Sequence, residues 1–112
     1  MIYAGPNPIW KNEKTWKFPG GTVNDDESFH QAALRELKEE TDLSATLIGD
    51  PLFFQTQQDD NLYLLVHYLA ENPIGQIKTN DPEVEEVKYF DLDKLPNNLA
   101  PNIKPILKTF CK

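Results

Sequence analysis

FPGGTVNDDESFHQAALRELKEETDL, residues 18–43, joins a glycine turn, a helix start signal and a dense carboxylate cluster in one loop-helix unit. Gly20 and Gly21 allow a turn in which backbone can approach other groups closely. Ser28 with Gln31 three residues later has the spacing of a capping box, so a helix begins there. Ala32, Ala33, Leu34, Arg35, Leu37, Lys38 and Glu39 are strong helix formers. Phe29, Ala33 and Leu37 recur every four residues and predict an apolar stripe against a core. Glu36, Glu39 and Glu40 stand at i, i+3 and i+4, which predicts that their carboxylates share another face.

Such clustering is unfavourable by itself. Like charges at these spacings cost about 0.2–0.5 kcal/mol per pair. Glu39 and Glu40 also lie toward the helix C-terminus, where the macrodipole disfavours anions. Arg35 and Lys38 offset only part of this. A charge run is usually just a solvated helix face, but a divalent cation, which takes oxygen ligands from several carboxylates, would remove the conflict outright.

The spacing around the acids decides between these readings. Gly21 is followed after five residues by Glu27, then after seven by Arg35, Glu36, Leu37, Lys38, Glu39, Glu40, Thr41, Asp42 and Leu43. This resembles the Nudix box, GX5EX7REUXEEXGU, with U a bulky aliphatic residue. Every defined position matches except one, where Asp42 replaces glycine. The preceding Trp16, Lys17, Phe18, Pro19 and Gly20 are similar to the family's usual run into the box. Glycine at position 42 would end the helix in the left-handed conformation at little cost. Aspartate reaches that region less easily, at a cost of about 1 kcal/mol.

A chain of 112 residues is one domain with a modest core. No apolar run approaches the roughly 20 residues of a membrane helix, and Met1 to Ala4 is too short and uncharged to read as a signal peptide. The single Cys111 cannot form an internal disulfide, which fits a reducing cytoplasm. A net charge of −7 argues against non-specific nucleic-acid binding. Acting on polyphosphates despite that charge requires metal ions to bridge carboxylates and phosphates.

Along the chain, Met1 to Ala4 reads as the end of a strand and residues 5–8 as a turn. Residues 11–14 form a second polar turn, and residues 15–18 a short strand. After the helix, residues 45–56 read as a strand interrupted at residues 49–51. Leu62 to Leu69 is the most apolar run and predicts a central buried strand. Residues 71–82 are loop, residues 83–90 a strand, and residues 102–110 a final amphipathic helix with Pro105 in its first turn.

The resemblance implies an α/β fold, an α/β/α sandwich with a mixed β-sheet. The stretch before the box is short for the family's N-terminal strand and hairpin. Either a strand is missing there or a partner chain completes the sheet, and an open sheet edge would favour a homodimer. The implied activity is hydrolysis of a nucleoside diphosphate linked to another moiety, with Mg²⁺ or Mn²⁺ as cofactor. Glu36 and Glu40 are then metal ligands, with Glu39 a third and the Gly20 carbonyl a further one. Glu36 or Glu39 acts as base. Arg35, paired with Glu27 or Glu39, orients the acids. A further acid from beyond the central strand is expected among Asp81, Glu83, Glu85 and Glu86, with Glu83 favoured. Trp16 and Phe18, with Trp10, Phe54 and Tyr63, are candidates to stack on a base, and Gly21 lets backbone meet the substrate. The default substrate is a small nucleotide such as a nucleoside triphosphate. The competing reading is a non-catalytic nucleotide-binding or interaction module of the same fold.

Overall fold

A computed structural model describes residues 1–5, 9 and 14–111. The expected turns at 5–8 and 11–14, and Trp10, fall wholly or partly outside the described residues. The elements are β1 (Ile2–Ala4), β2 (Thr15–Lys17), α1 (Phe29–Thr41), β3 (Ser44–Gln58), β4 (Asn61–Ile74), β5 (Val84–Val87) and α2 (Ile103–Phe110).

Two sheets form, one in the order β2-β1-β5 and the other the β3–β4 hairpin. All these pairings are antiparallel. The mixed character expected of the sheet is confined, among the described residues, to an isolated parallel bridge between Trp16 and Leu99. There Trp16 N–H donates to the Asn98 carbonyl at 2.7 Å, and Ala100 N–H donates to the Trp16 carbonyl at 2.8 Å.

The helix start is the one the sequence specifies. Ser28 Oγ accepts from Gln31 N–H at 3.1 Å, and Gln31 Oε1 accepts from Ser28 N–H at 2.8 Å. The helix ends on Asp42 in the left-handed conformation, φ 61°, with its N–H on the Lys38 carbonyl. The apolar stripe differs from expectation. Phe29 is exposed, whereas Ala32, Glu40 and Thr41 are buried. The inward line therefore includes Ala32, Glu36 and Glu40, so two carboxylates lie on the face that packs inward.

The hairpin also departs from the reading. The strand does not stop at residue 69 but runs to Ile74, and Gly49 to Pro51 make an irregularity inside β3 rather than a break. Among the described residues β4 pairs with β3 alone, so it is not a central strand. Phe54 and Leu65, cross-strand partners, face the cluster around Ala100 and Ile103. Phe53, Leu62 and Leu64 lie on the opposite face and are exposed. α1 packs against β3, β4 and β5. A second core cluster joins Ile2, Ala4 and Val84, with Val87 against it. No described helix is long and apolar enough to cross a membrane.

Candidate active site

The site grows from the meeting of the glycine turn and the inner face of α1. Gly20 N–H donates to Glu40 Oε1 at 2.6 Å. Gly21 lies against Glu36, and a Cβ added to Gly21 would stand 2.5 Å from Glu36 Oε1. A side chain at 21 would therefore displace the Glu36 carboxylate, while no positive φ calls for glycine there.

Arg35 ties the acids together. Its Nε and Nη2 donate to Glu27, the shortest contact being 2.6 Å, and Nη2 also donates to the Thr22 carbonyl at 2.9 Å. Its Nη1 donates to Glu36 Oε1 at 2.9 Å and to Glu39 Oε2 at 3.3 Å. Glu27 accepts in addition from Asn24 N–H at 2.9 Å. The Arg35 hydrogen bonds, helped by that backbone bond, hold the Glu27 carboxyl below the usual carboxylate range. In return Glu27, and then Glu36, drive the Arg35 pKa upward. The expected contact between Arg35 and Glu27 is present, and one guanidinium bonds three carboxylates.

The three box acids are not equivalent. Glu40 is 6% exposed. Burial pushes its carboxyl up to about 8, and the negative charges of Glu36, Asp81 and Glu39 add to this, against the Gly20 hydrogen bond. Burial raises Glu36 as well, opposed by Arg35 and assisted by Glu39 and Asp81. Glu39 stands on the solvent side, its side chain 52% exposed.

Asp81 reaches this group from the segment before β5. Lys78 N–H donates to the Thr41 carbonyl at 3.0 Å, which docks the segment on the end of α1. Gly75, at φ 117°, lies close enough that a Cβ would be 3.0 Å from the Asp42 carbonyl oxygen. Asp81 Oδ1 accepts from Glu83 N–H at 2.9 Å, and Asp81 N–H donates to Thr79 Oγ1 at 3.1 Å. Among the four downstream acids, Asp81 is the one whose charge acts on both Glu36 and Glu40. Glu83, favoured by sequence spacing, is exposed, Glu85 pairs with Lys14 at 2.6 Å, and Glu86 sits opposite Tyr3 in the sheet. An open cleft of about 430 Å³ lies between α1 and this segment, lined by Lys38, Glu39, Asp42, Asn80, Asp81 and Pro82.

The donor set suits a hard divalent cation: carboxylate oxygens, two of them desolvated and electrostatically frustrated. Among the described residues no trio of His, Cys, Asp or Glu already stands at coordination spacing, so the acids are gathered without being preassembled. Of the aromatic candidates, Phe18 packs on the Ala100 and Ile103 cluster with its ring edge-on to His67 at 5.8 Å. Trp16 packs between Tyr3, at 5.1 Å, and Phe90, at 4.8 Å. Both rings have protein partners. Lys17, between them in the run into the box, points away from Trp16 by strand alternation.

A fold of this kind carrying this acid constellation defines a class. The NUDIX domain model matches residues 5–110, and the chain belongs to the NUDIX family. Its relatives include an RNA pyrophosphohydrolase of Novosphingobium aromaticivorans, 28% identical over 89% of this chain and 74% of that protein. An ADP-ribose pyrophosphatase of Methanocaldococcus jannaschii is 30% identical over 84% of this chain and 56% of that protein. The solution structure of the E. coli ORF135 protein superposes with a TM-score of 0.72 at 27% identity, covering 98% of this chain and 78% of that one. The chain is a Nudix pyrophosphohydrolase, an enzyme that hydrolyses diphosphate linkages of nucleotides.

Proposed function

We propose that the enzyme is metal-dependent and cleaves a small nucleoside diphosphate derivative, with a nucleoside triphosphate as the default substrate. The observation that carries this is Glu40, a carboxyl 6% exposed and held by Gly20 N–H at 2.6 Å on the same inward face as Glu36, with burial and the charges of Glu36 and Asp81 raising its pKa. Three acids so placed repel one another, and a bound cation would convert that repulsion into ligation. Glu36 and Glu40 would hold Mg²⁺ or Mn²⁺, with Asp81 and the Gly20 carbonyl supplementing them. Asp81 takes the place in this reading that sequence spacing gave to Glu83.

When bound, the ion neutralises diphosphate charge and acidifies a coordinated water. The remaining roles fall to the chain. Arg35 fixes the rotamers of Glu36 and Glu39 while anchored on Glu27. Glu39 is our choice of general base, because its side chain is open to water and lines the cleft. Water attacks phosphorus in line with the departing phosphate, and the transition state is held chiefly by position and charge. With a net charge of −7, a small nucleotide is favoured over a long nucleic-acid tract.

The test is phosphate and pyrophosphate release over a nucleotide panel, with Mg²⁺ and with chelator, analysing products in ¹⁸O-water. Turnover that needs metal and is lost in Glu40→Gln supports the reading. Turnover unaffected by chelator sinks it.

A further inference from the structure

Lys17 is a half-buried cation without a stated role. It lies directly opposite Ile2 in the β1–β2 pair, so the two side chains share a face, and Ile2 is 1% exposed. Ala4 and Thr15 occupy the same face and are buried. Trp16 and Tyr3 stack on the other side. Lys17 therefore projects toward the interior side of the sheet, where lysine is seldom found without a partner.

Its side chain makes no hydrogen bond or ion pair among the described residues. Its ammonium is nevertheless within electrostatic reach of Glu40, whose charge partly restores a Lys17 pKa that burial lowers. Lys17 is three residues before Gly20, whose N–H binds that same Glu40. A primary ammonium thus stands within electrostatic reach of Glu40, close in sequence to the glycine turn that binds the same acid. Arg35 is saturated by Glu27, Glu36, Glu39 and the Thr22 carbonyl. Among the basic residues near the site it has no free donor to offer a substrate. Lys38 is engaged by Asp42 at 3.2 Å.

We propose that Lys17 is a substrate-binding residue whose ammonium contacts a phosphate oxygen of the diphosphate held at the Glu36–Glu40 site. This rests on the proposed function of that site. Lysine suits the role because its compact ammonium has three donors and a flexible stem. The competing role is purely internal, with Lys17 serving only to neutralise Glu40.

The experiment titrates the full chain with inorganic pyrophosphate in the presence of Ca²⁺, and separately with Mg²⁺ alone, by calorimetry. Wild type is compared with Lys17→Met, which keeps the apolar stem, and with Lys17→Arg. Losing a charge-assisted contact should weaken pyrophosphate binding by about tenfold or more in Lys17→Met. Lys17→Arg should recover most of that, and Mg²⁺ affinity should stay equal or tighten in Lys17→Met. Unchanged pyrophosphate affinity in Lys17→Met, or a loss of Mg²⁺ and pyrophosphate binding together, overturns the assignment. Wild type that binds Mg²⁺ but not pyrophosphate overturns the Lys17 contact alone. Wild type that binds neither overturns the proposed function and the contact with it.

Discussion

Replacing Glu40 by Gln tests the electrostatic core of the site without reference to any substrate. The amide is isosteric, and its oxygen can still accept the Gly20 N–H bond. The folded carboxyl titrates near 8, far above the ordinary glutamate value of 4.5. The folded state thus holds a proton that the unfolded state releases, so metal-free stability falls as pH rises across that window. The slope from this one group is about 1.4 kcal/mol per pH unit. The burden is nil below about pH 4.5, about 3 kcal/mol at pH 7, and at most about 4–5 kcal/mol above pH 8. Glu40→Gln removes it. In chelator, the variant should match wild type at pH 4.5 and become progressively more stable toward pH 8, by roughly 10 °C or more in Tm. Saturating Mg²⁺ should reverse the order at pH 8, stabilising wild type and leaving the variant almost unmoved. Thermal melts at four pH values, with chelator and with Mg²⁺, read both effects. Parallel pH profiles for the two proteins without metal would refute the claim that Glu40 is a frustrated buried acid. Equal stabilisation of both by Mg²⁺ would refute its part in holding the ion.

Three further outcomes follow from the same geometry. Gly21→Ala drives a methyl into Glu36 Oε1, the far end of a flexible side chain, so stability should change by less than about 1 kcal/mol while kcat falls at least tenfold; parallel melts and initial rates separate the two. Asp81→Asn should weaken Mg²⁺ binding more than Glu83→Gln, because only Asp81 acts on both buried acids; calorimetry decides, and the reverse order would restore Glu83. Asp42→Gly should stabilise the fold by about 0.5–1 kcal/mol, since glycine takes φ 61° freely and the exposed pair with Lys38 is worth little; chemical denaturation checks it.

The boundaries of α1 were legible in the chain. Ser28 and Gln31 fix the helix start by bonds between near neighbours, and the helix ends at Asp42, the box's glycine position, in the left-handed conformation that glycine would adopt at less cost. The spacing of Gly21, Glu27, Arg35, Glu36, Glu39 and Glu40 carried the family and the Arg35–Glu27 pair, because loop and helix geometry alone bring these residues together. The tertiary structure decided everything that depends on which side meets what. It turned Ala32, Glu36 and Glu40 inward and left Phe29 in water, and the glycine turn meets the inward face at Glu40. It brought the charge of Asp81, and not that of Glu83, onto Glu36 and Glu40, with Lys78 docked on Thr41 by a contact spanning 37 residues that no local pattern encodes. It left the hairpin's most apolar strand half exposed, because hydropathy says what a strand would bury but only the assembled sheet says how many neighbours it has.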